Sequence, residues 1–164
     1  MLRSGLFCIA LISALVGFAS AASAKDLSSR LGVGFRNAYS FDLPSLAAHY
    51  YPTSDMGFVG AVGIDTEDQN SKFALSGGIR KIIFTEDNLN FFMGGVFSMV
   101  SKEAAGSTDS GFELAALVGA EFFFAGLENL GFNFETGVAV TNVKKVRFRT
   151  MGDSFLRAGI VFYF

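Results

Sequence analysis

The sequence predicts an all-β fold, an eight-stranded antiparallel up-and-down transmembrane β-barrel, preceded by a cleaved signal peptide. Apolar residues make up 51% of the chain, yet residues 25–164 contain no uncharged run long enough for a membrane-spanning helix. Instead, eight segments alternate apolar side chains with small or polar ones, as strands between lipid and a polar lumen do. The segment 155–164 is typical, because one of its faces is entirely apolar and ends in Phe164.

Residues 1–24 have the pattern of a secretory signal peptide. Arg3 supplies the positive start, residues 6–16 the apolar centre, and the small residues 22–24 the cleavage site. The apolar centre is shorter than the ~20 residues that a spanning helix needs. We therefore expect a signal peptide over 1–24 and a single exported domain over 25–164.

The first four segments run to the middle of the chain. Segment 28–38 alternates leucine, valine and phenylalanine with arginine and glycine, and segment 44–51 ends at a Pro-Thr-Ser-Asp turn. Segment 56–66 alternates large apolar with small residues, and segment 72–84 does the same except around Lys81, where its pattern is least regular.

The last four segments contain the clearest alternation. Segment 89–102 places phenylalanine and methionine opposite asparagine, glycine and serine, and segment 111–124 alternates without a break. Segments 131–143 and 155–164 follow the same rule.

The even strand number brings both termini to one side, which is periplasmic in barrels of this kind. The expected periplasmic turns lie at 52–55, 85–88 and 125–130. The expected outward loops lie at 39–43, 66–71, 103–110 and 144–153.

The stretches GAEFFFAGLENLGFNFETG (119–137) and RFRTMGDSFLRAGIVFYF (147–164) resemble small bacterial outer-membrane β-barrel proteins of the OmpA-like and OmpX-like class. Ile160, Phe162 and Phe164 resemble the C-terminal signal that the barrel assembly machinery recognises. The resemblance implies an outer-membrane location. It also implies outer-membrane lipids and lipopolysaccharide as partners, with the assembly machinery and periplasmic chaperones during biogenesis. It carries no catalytic residue with it.

Seven charged residues fall on the faces expected to point inward. They are Arg36, Asp65, Arg80, Glu113, Glu121, Glu135 and Arg157. The interior of an eight-stranded barrel is just wide enough for side chains to fill. Opposite charges there can pair and plug the lumen, whereas an unpaired buried charge is very costly. We expect an interior charge network, and a narrow channel for small solutes or ions stays open as the alternative.

Lys144, Lys145, Arg147 and Arg149 form the strongest local charge cluster. Lysine and arginine suit phosphate groups, so these residues are candidates for a lipopolysaccharide contact. The alternative is a solvated loop and hairpin extension, because neighbouring apolar residues recur with period 2.

Enzymatic and cofactor chemistry have little support. His49 is the only histidine, and the serine that lipid A deacylases place two residues beyond their histidine is replaced by Tyr51. The only cysteine, Cys8, lies within the signal peptide, so no metal site or thiol chemistry is expected. The net charge of −2 does not favour a nucleic-acid partner. We expect a monomeric structural or surface-interaction protein without cofactors, and a lipid A-modifying enzyme is the less favoured alternative.

Overall fold

The computed structural model describes residues 25–37, 43–104, 106–150 and 156–164. The predicted signal peptide, with Cys8, lies outside these residues. The strands are β1 (Arg30–Asn37), β2 (Pro44–Tyr51), β3 (Met56–Asp65), β4 (Lys72–Glu86), β5 (Leu89–Ala104), β6 (Ser107–Phe123), β7 (Leu130–Asn142), β8 (Val146–Thr150) and β9 (Arg157–Tyr163). Over the described residues, no helix is long and apolar enough to cross a membrane.

The strands close into a barrel. Each strand from β1 to β7 pairs antiparallel with the next, and β9 pairs with both β7 and β1. Two strands share the eighth position in the barrel wall. Along β7, β8 pairs with Val138–Asn142 and β9 pairs with Leu130–Glu135. The predicted eight-stranded antiparallel barrel is therefore confirmed, with its last strand divided in two.

The two faces of the wall have inverted polarity. Phe35 on β1 is 66% exposed, whereas the neighbouring Arg36 is only 4% exposed. The same alternation continues around the barrel, so large apolar side chains cover the outside while charged and polar ones fill the inside. The faces predicted from the alternation agree with this arrangement.

One strand and one connection differ from the regular pattern. The pairing of β4 with β5 shifts between Ile82 and Phe84, which is a β-bulge close to the irregularity expected near Lys81. The expected loop at 103–110 is largely strand instead, because β5 and β6 stay paired out to Ala104 and Ser107. Gly106 permits the tight turn there, since its φ of 76° lies in the left-handed region.

Apolar side chains occupy the interior at both ends of the barrel. We call the end with the described chain termini the terminal end and the opposite end the loop end. At the terminal end Leu27 is fully buried among Tyr51, Phe92 and Tyr163. At the loop end a smaller interior cluster contains Leu43, Ala74 and Val100.

The seam between β1 and β9 depends on Gly34, which lies opposite Val161. A Cβ atom added at Gly34 would overlap the backbone carbonyl oxygen of Ile160 and come within 2.7 Å of the Val161 Cα. Neither backbone atom can move without disturbing the closing strand pair. By contrast, a Cβ atom at the outward-facing Gly77 would meet nothing within 4 Å.

We predict that Gly34→Ala lowers the free energy of unfolding by about 1–3 kcal/mol, the usual cost of overpacking. The measurement is urea unfolding, read from the fraction of folded barrel. Gly77→Ala is the matched control and should be at least as stable as the parent protein, because alanine loses less backbone freedom on folding than glycine does. Equal effects of the two substitutions would contradict the close approach at the seam.

Candidate functional site: the interior network

The interior charges meet at Glu135 on β7. Its carboxylate contacts the guanidinium group of Arg36 through Oε1, and its Oε2 lies 3.2 Å from Nη2 of Arg80. Both arginines and Glu135 are buried. Arg157 is also buried, and it lies directly opposite Glu135 in the pairing of β7 with β9. One carboxylate thus links strands from opposite parts of the wall.

Arg80 also contacts an aromatic ring and the single histidine. Its guanidinium carbon lies 4.2 Å from the centroid of the Phe92 ring, within the range of a cation–π interaction. Its Nη1 lies 3.5 Å from Nδ1 of His49, at the outer limit of a hydrogen bond.

His49 connects this centre to a second carboxylate. Tyr163 donates its hydroxyl proton to Oε1 of Glu121 at 2.8 Å, and its hydroxyl oxygen lies 3.1 Å from Nδ1 of His49. Because that hydroxyl proton is already used, Nδ1 of His49 is the donor in the second contact. The 3.5 Å approach of Arg80 Nη1 to the same atom is then a close contact and not a hydrogen bond, since both groups are donors. Together Arg36, Arg80, Glu135, His49, Tyr163 and Glu121 form what we call the interior network.

A separate ion pair lies nearer the loop end. Arg149 on β8 reaches across β7, and its Nη2 lies 3.0 Å from Oε2 of Glu113. Glu113 is fully buried and the Arg149 side chain is 10% exposed. Arg149 therefore points into the barrel, and its position does not match the outward lipopolysaccharide contact expected for it.

The other residues of the basic cluster remain at the surface. Lys145 and Arg147 are exposed, and Lys144 is exposed while forming a 2.6 Å ion pair with Asp109. Among the residues expected inside, Asp65 also differs. It is half-buried at the end of β3, and its carboxylate accepts a hydrogen bond from the backbone N–H of Glu67. Because the strand ends there, its carboxylate is satisfied locally at the rim.

The sequence analysis identified neither Tyr163 as a member of the interior network nor Phe92 as the ring that contacts Arg80. Tyr163 shares a face with Arg157 in the alternation, and Phe92 shares one with Asn90. The alternation of side chains along each strand was the available signal. It gives the side of the wall to which a side chain points, but not the residues that the side chain contacts. Within the described ranges, no group of three or more His, Cys, Asp or Glu side chains is placed to hold a metal ion.

Comparison with known proteins identifies the fold. No family model and no curated protein matches the sequence. Among solved structures, the N-terminal β-barrel domain of Pseudomonas aeruginosa OprF is similar, with a TM-score of 0.57 and 15% identity over 84% of this chain and 98% of that domain. Neisserial surface protein A (NspA) matches with a TM-score of 0.51 and 16% identity, over 82% of this chain and 94% of that protein. The chain thus has the fold of small OmpA-like outer-membrane barrels, as the resemblance implied.

We predict that Glu135→Gln destabilises the barrel by about 3–5 kcal/mol, because it removes the carboxylate that two buried guanidinium groups share. Glu121→Gln should cost less, since a neutral amide oxygen still accepts the proton of Tyr163. Urea unfolding of both variants measures the difference. Equal losses would contradict the central position of Glu135.

Proposed function

We propose that the chain is an integral outer-membrane protein with a plugged polar interior, acting as a structural or surface-interaction element. The observation that carries this proposal is the inverted polarity of the wall. Phe35, Ile64 and Leu114 are each more than half exposed, while Arg80, Glu113 and Glu121 are completely buried. Soluble proteins rarely expose continuous apolar surface of this extent, whereas a lipid bilayer covers it.

In the proposed orientation the terminal end faces the periplasm and the loop end faces outward. The exposed Lys145 and Arg147 would then be available to lipopolysaccharide phosphates, with Lys144 divided between phosphate and Asp109. Ile160, Phe162 and Phe164 point outward on and beside β9, where the assembly machinery could recognise them. We propose a monomer, because β1 and β9 pair with each other and leave the barrel closed.

The alternative of a narrow channel has less support. The buried side chains of the interior network cross the lumen, and Leu27 and Leu43 belong to apolar clusters at its two ends. A solute would have to displace both buried ion pairs and apolar side chains.

A lipid-modifying enzyme has less support still. His49 is 1% exposed, and its described side-chain partners are Tyr163 and Arg80. Neither partner is a serine or cysteine nucleophile of the kind that hydrolytic sites pair with histidine. The geometry therefore favours a structural role for His49.

Membrane embedding predicts a strong effect of charge on the outer wall. Leu114→Arg, at the middle of β6, should destabilise the barrel in lipid vesicles by about 2–4 kcal/mol, the cost of arginine near the bilayer midplane. The folded fraction is measured as the faster-migrating band of an unboiled sample on a gel. Val146→Arg is the matched control, because Val146 is 73% exposed on the short β8 at the loop end. A similar tolerance of both substitutions would contradict membrane embedding.

The plugged interior predicts no steady ion conductance. Folded protein inserted into planar lipid bilayers should give current no greater than the protein-free membrane, with a known porin as positive control. Reproducible unitary currents from the folded protein, absent after boiling, would favour the channel instead.

A further inference from the structure

A trough of about 570 Å³ crosses the outward surface of β4, β5, β6 and β7. Gly95 and Ala116 form its floor and lie opposite each other in the pairing of β5 with β6. The floor is low because glycine has no side chain and alanine has only a methyl group. Ile79, Met93 and Val138 form its walls. Its volume is within the range of about 300–1,000 Å³ that is typical of small-molecule sites.

Lys81 lies at one end of this trough. Its side chain is exposed and points outward, on the same face of β4 as Ile79. It is unusual for that reason, since the outward faces of the other described strands carry no charge between the two ends of the barrel. Within the described residues, no carboxylate lies within ion-pairing distance of its ammonium group.

The position of Lys81 along the barrel indicates an interfacial depth. Lys81 pairs with Met56, the first residue of β3, and the next residue, Ile82, donates its backbone N–H to the carbonyl of Asp55 in the adjacent turn at 2.7 Å. Lys81 is therefore at the terminal end. Near this level a lysine can extend its ammonium group to the headgroups while its methylene chain stays in the apolar layer.

We propose that the trough binds an anionic glycerophospholipid, with one acyl chain over the floor of Gly95 and Ala116 and the phosphate beside Lys81. The inference rests on the proposed membrane location. The chain alone gives little selectivity, because surrounding lipid tails are as apolar as the trough. Charge complementarity with Lys81 supplies the selectivity, since a lysine near the surface favours anionic lipid about fivefold.

A second trough of about 640 Å³ is a natural reference for this proposal. It lies over the seam of β1, β9 and β7, with Gly34 and Ala158 among its lining residues. The only charged residue that lines it, Arg36, directs its guanidinium group to Glu135 inside the barrel. A similar apolar surface without an outward cation should take lipid tails without preference for headgroup charge.

The test is native mass spectrometry of the folded protein released from micelles that contain equal amounts of phosphatidylglycerol and phosphatidylcholine with identical chains. The parent protein should retain one phosphatidylglycerol preferentially. Lys81→Gln should lower the ratio of phosphatidylglycerol to phosphatidylcholine adducts about fivefold, and Lys81→Arg should restore it. Gly95→Leu should lower the retention of both lipids, because its side chain fills the trough.

Two control variants show whether the lipid preference belongs to the trough and to Lys81. Gly77→Leu adds the same side chain to an outward glycine outside the trough, and Lys72→Gln removes a half-buried lysine at the opposite end of β4. Neither should change the adduct ratio. Unchanged binding in Lys81→Gln, or an equal loss in either control, would overturn the proposal. If the folded barrel enters phosphatidylcholine vesicles in each such case, the membrane location stands while the lipid site fails. Failure to insert would overturn both.

Discussion

The pairing of β1 with β9 is the constraint on which the rest of the structure depends. It closes the sheet at Gly32–Arg36, so the backbones of β1 and β9 find hydrogen-bond partners at this seam. Among the described strands, the short β8 pairs on one side only, with β7. Closure with eight strand positions also fixes a narrow lumen. Gly34 matters because it allows the two strands to approach at this seam. Closure at this seam separates the lumen from the outer surface of the barrel.

The narrow lumen explains why the interior network contains both charges and aromatic rings. Buried guanidinium groups need carboxylates close by, and Glu135 meets that need for Arg36 and Arg80 together. The ring of Phe92 covers a further face of Arg80. Apolar residues then occupy the ends of the lumen, with Leu27 at the terminal end and Leu43 at the loop end. The interior resembles a small packed core crossed by ion pairs.

The direction of side chains could be predicted from sequence, but their partners could not. Alternation alone placed Glu121 and Glu135 inside, because neighbouring strand residues must point to opposite faces. It could not distinguish them, since the partner of each depends on the relative heights of strands far apart in the chain. Those heights give Glu121 a tyrosine hydroxyl and give Glu135 two arginines. Arg149 shows the same limit, because its loop composition suggested solvent while the pairing of β8 places it beside Glu113.

The β-bulge in β4 has a consequence for how such a chain can change in length. Inserting a single residue into a paired strand would exchange the inner and outer faces from that point to the next turn, placing arginine in lipid and phenylalanine in the lumen. Strands of this barrel can therefore lengthen or shorten only by two residues at a time. The shift between Ile82 and Phe84 is the exception, since it accommodates an odd residue within a single strand. Insertions and deletions in related sequences should therefore lie in the turns and at such bulges. Elsewhere in the strands, each position should keep its inward or outward direction.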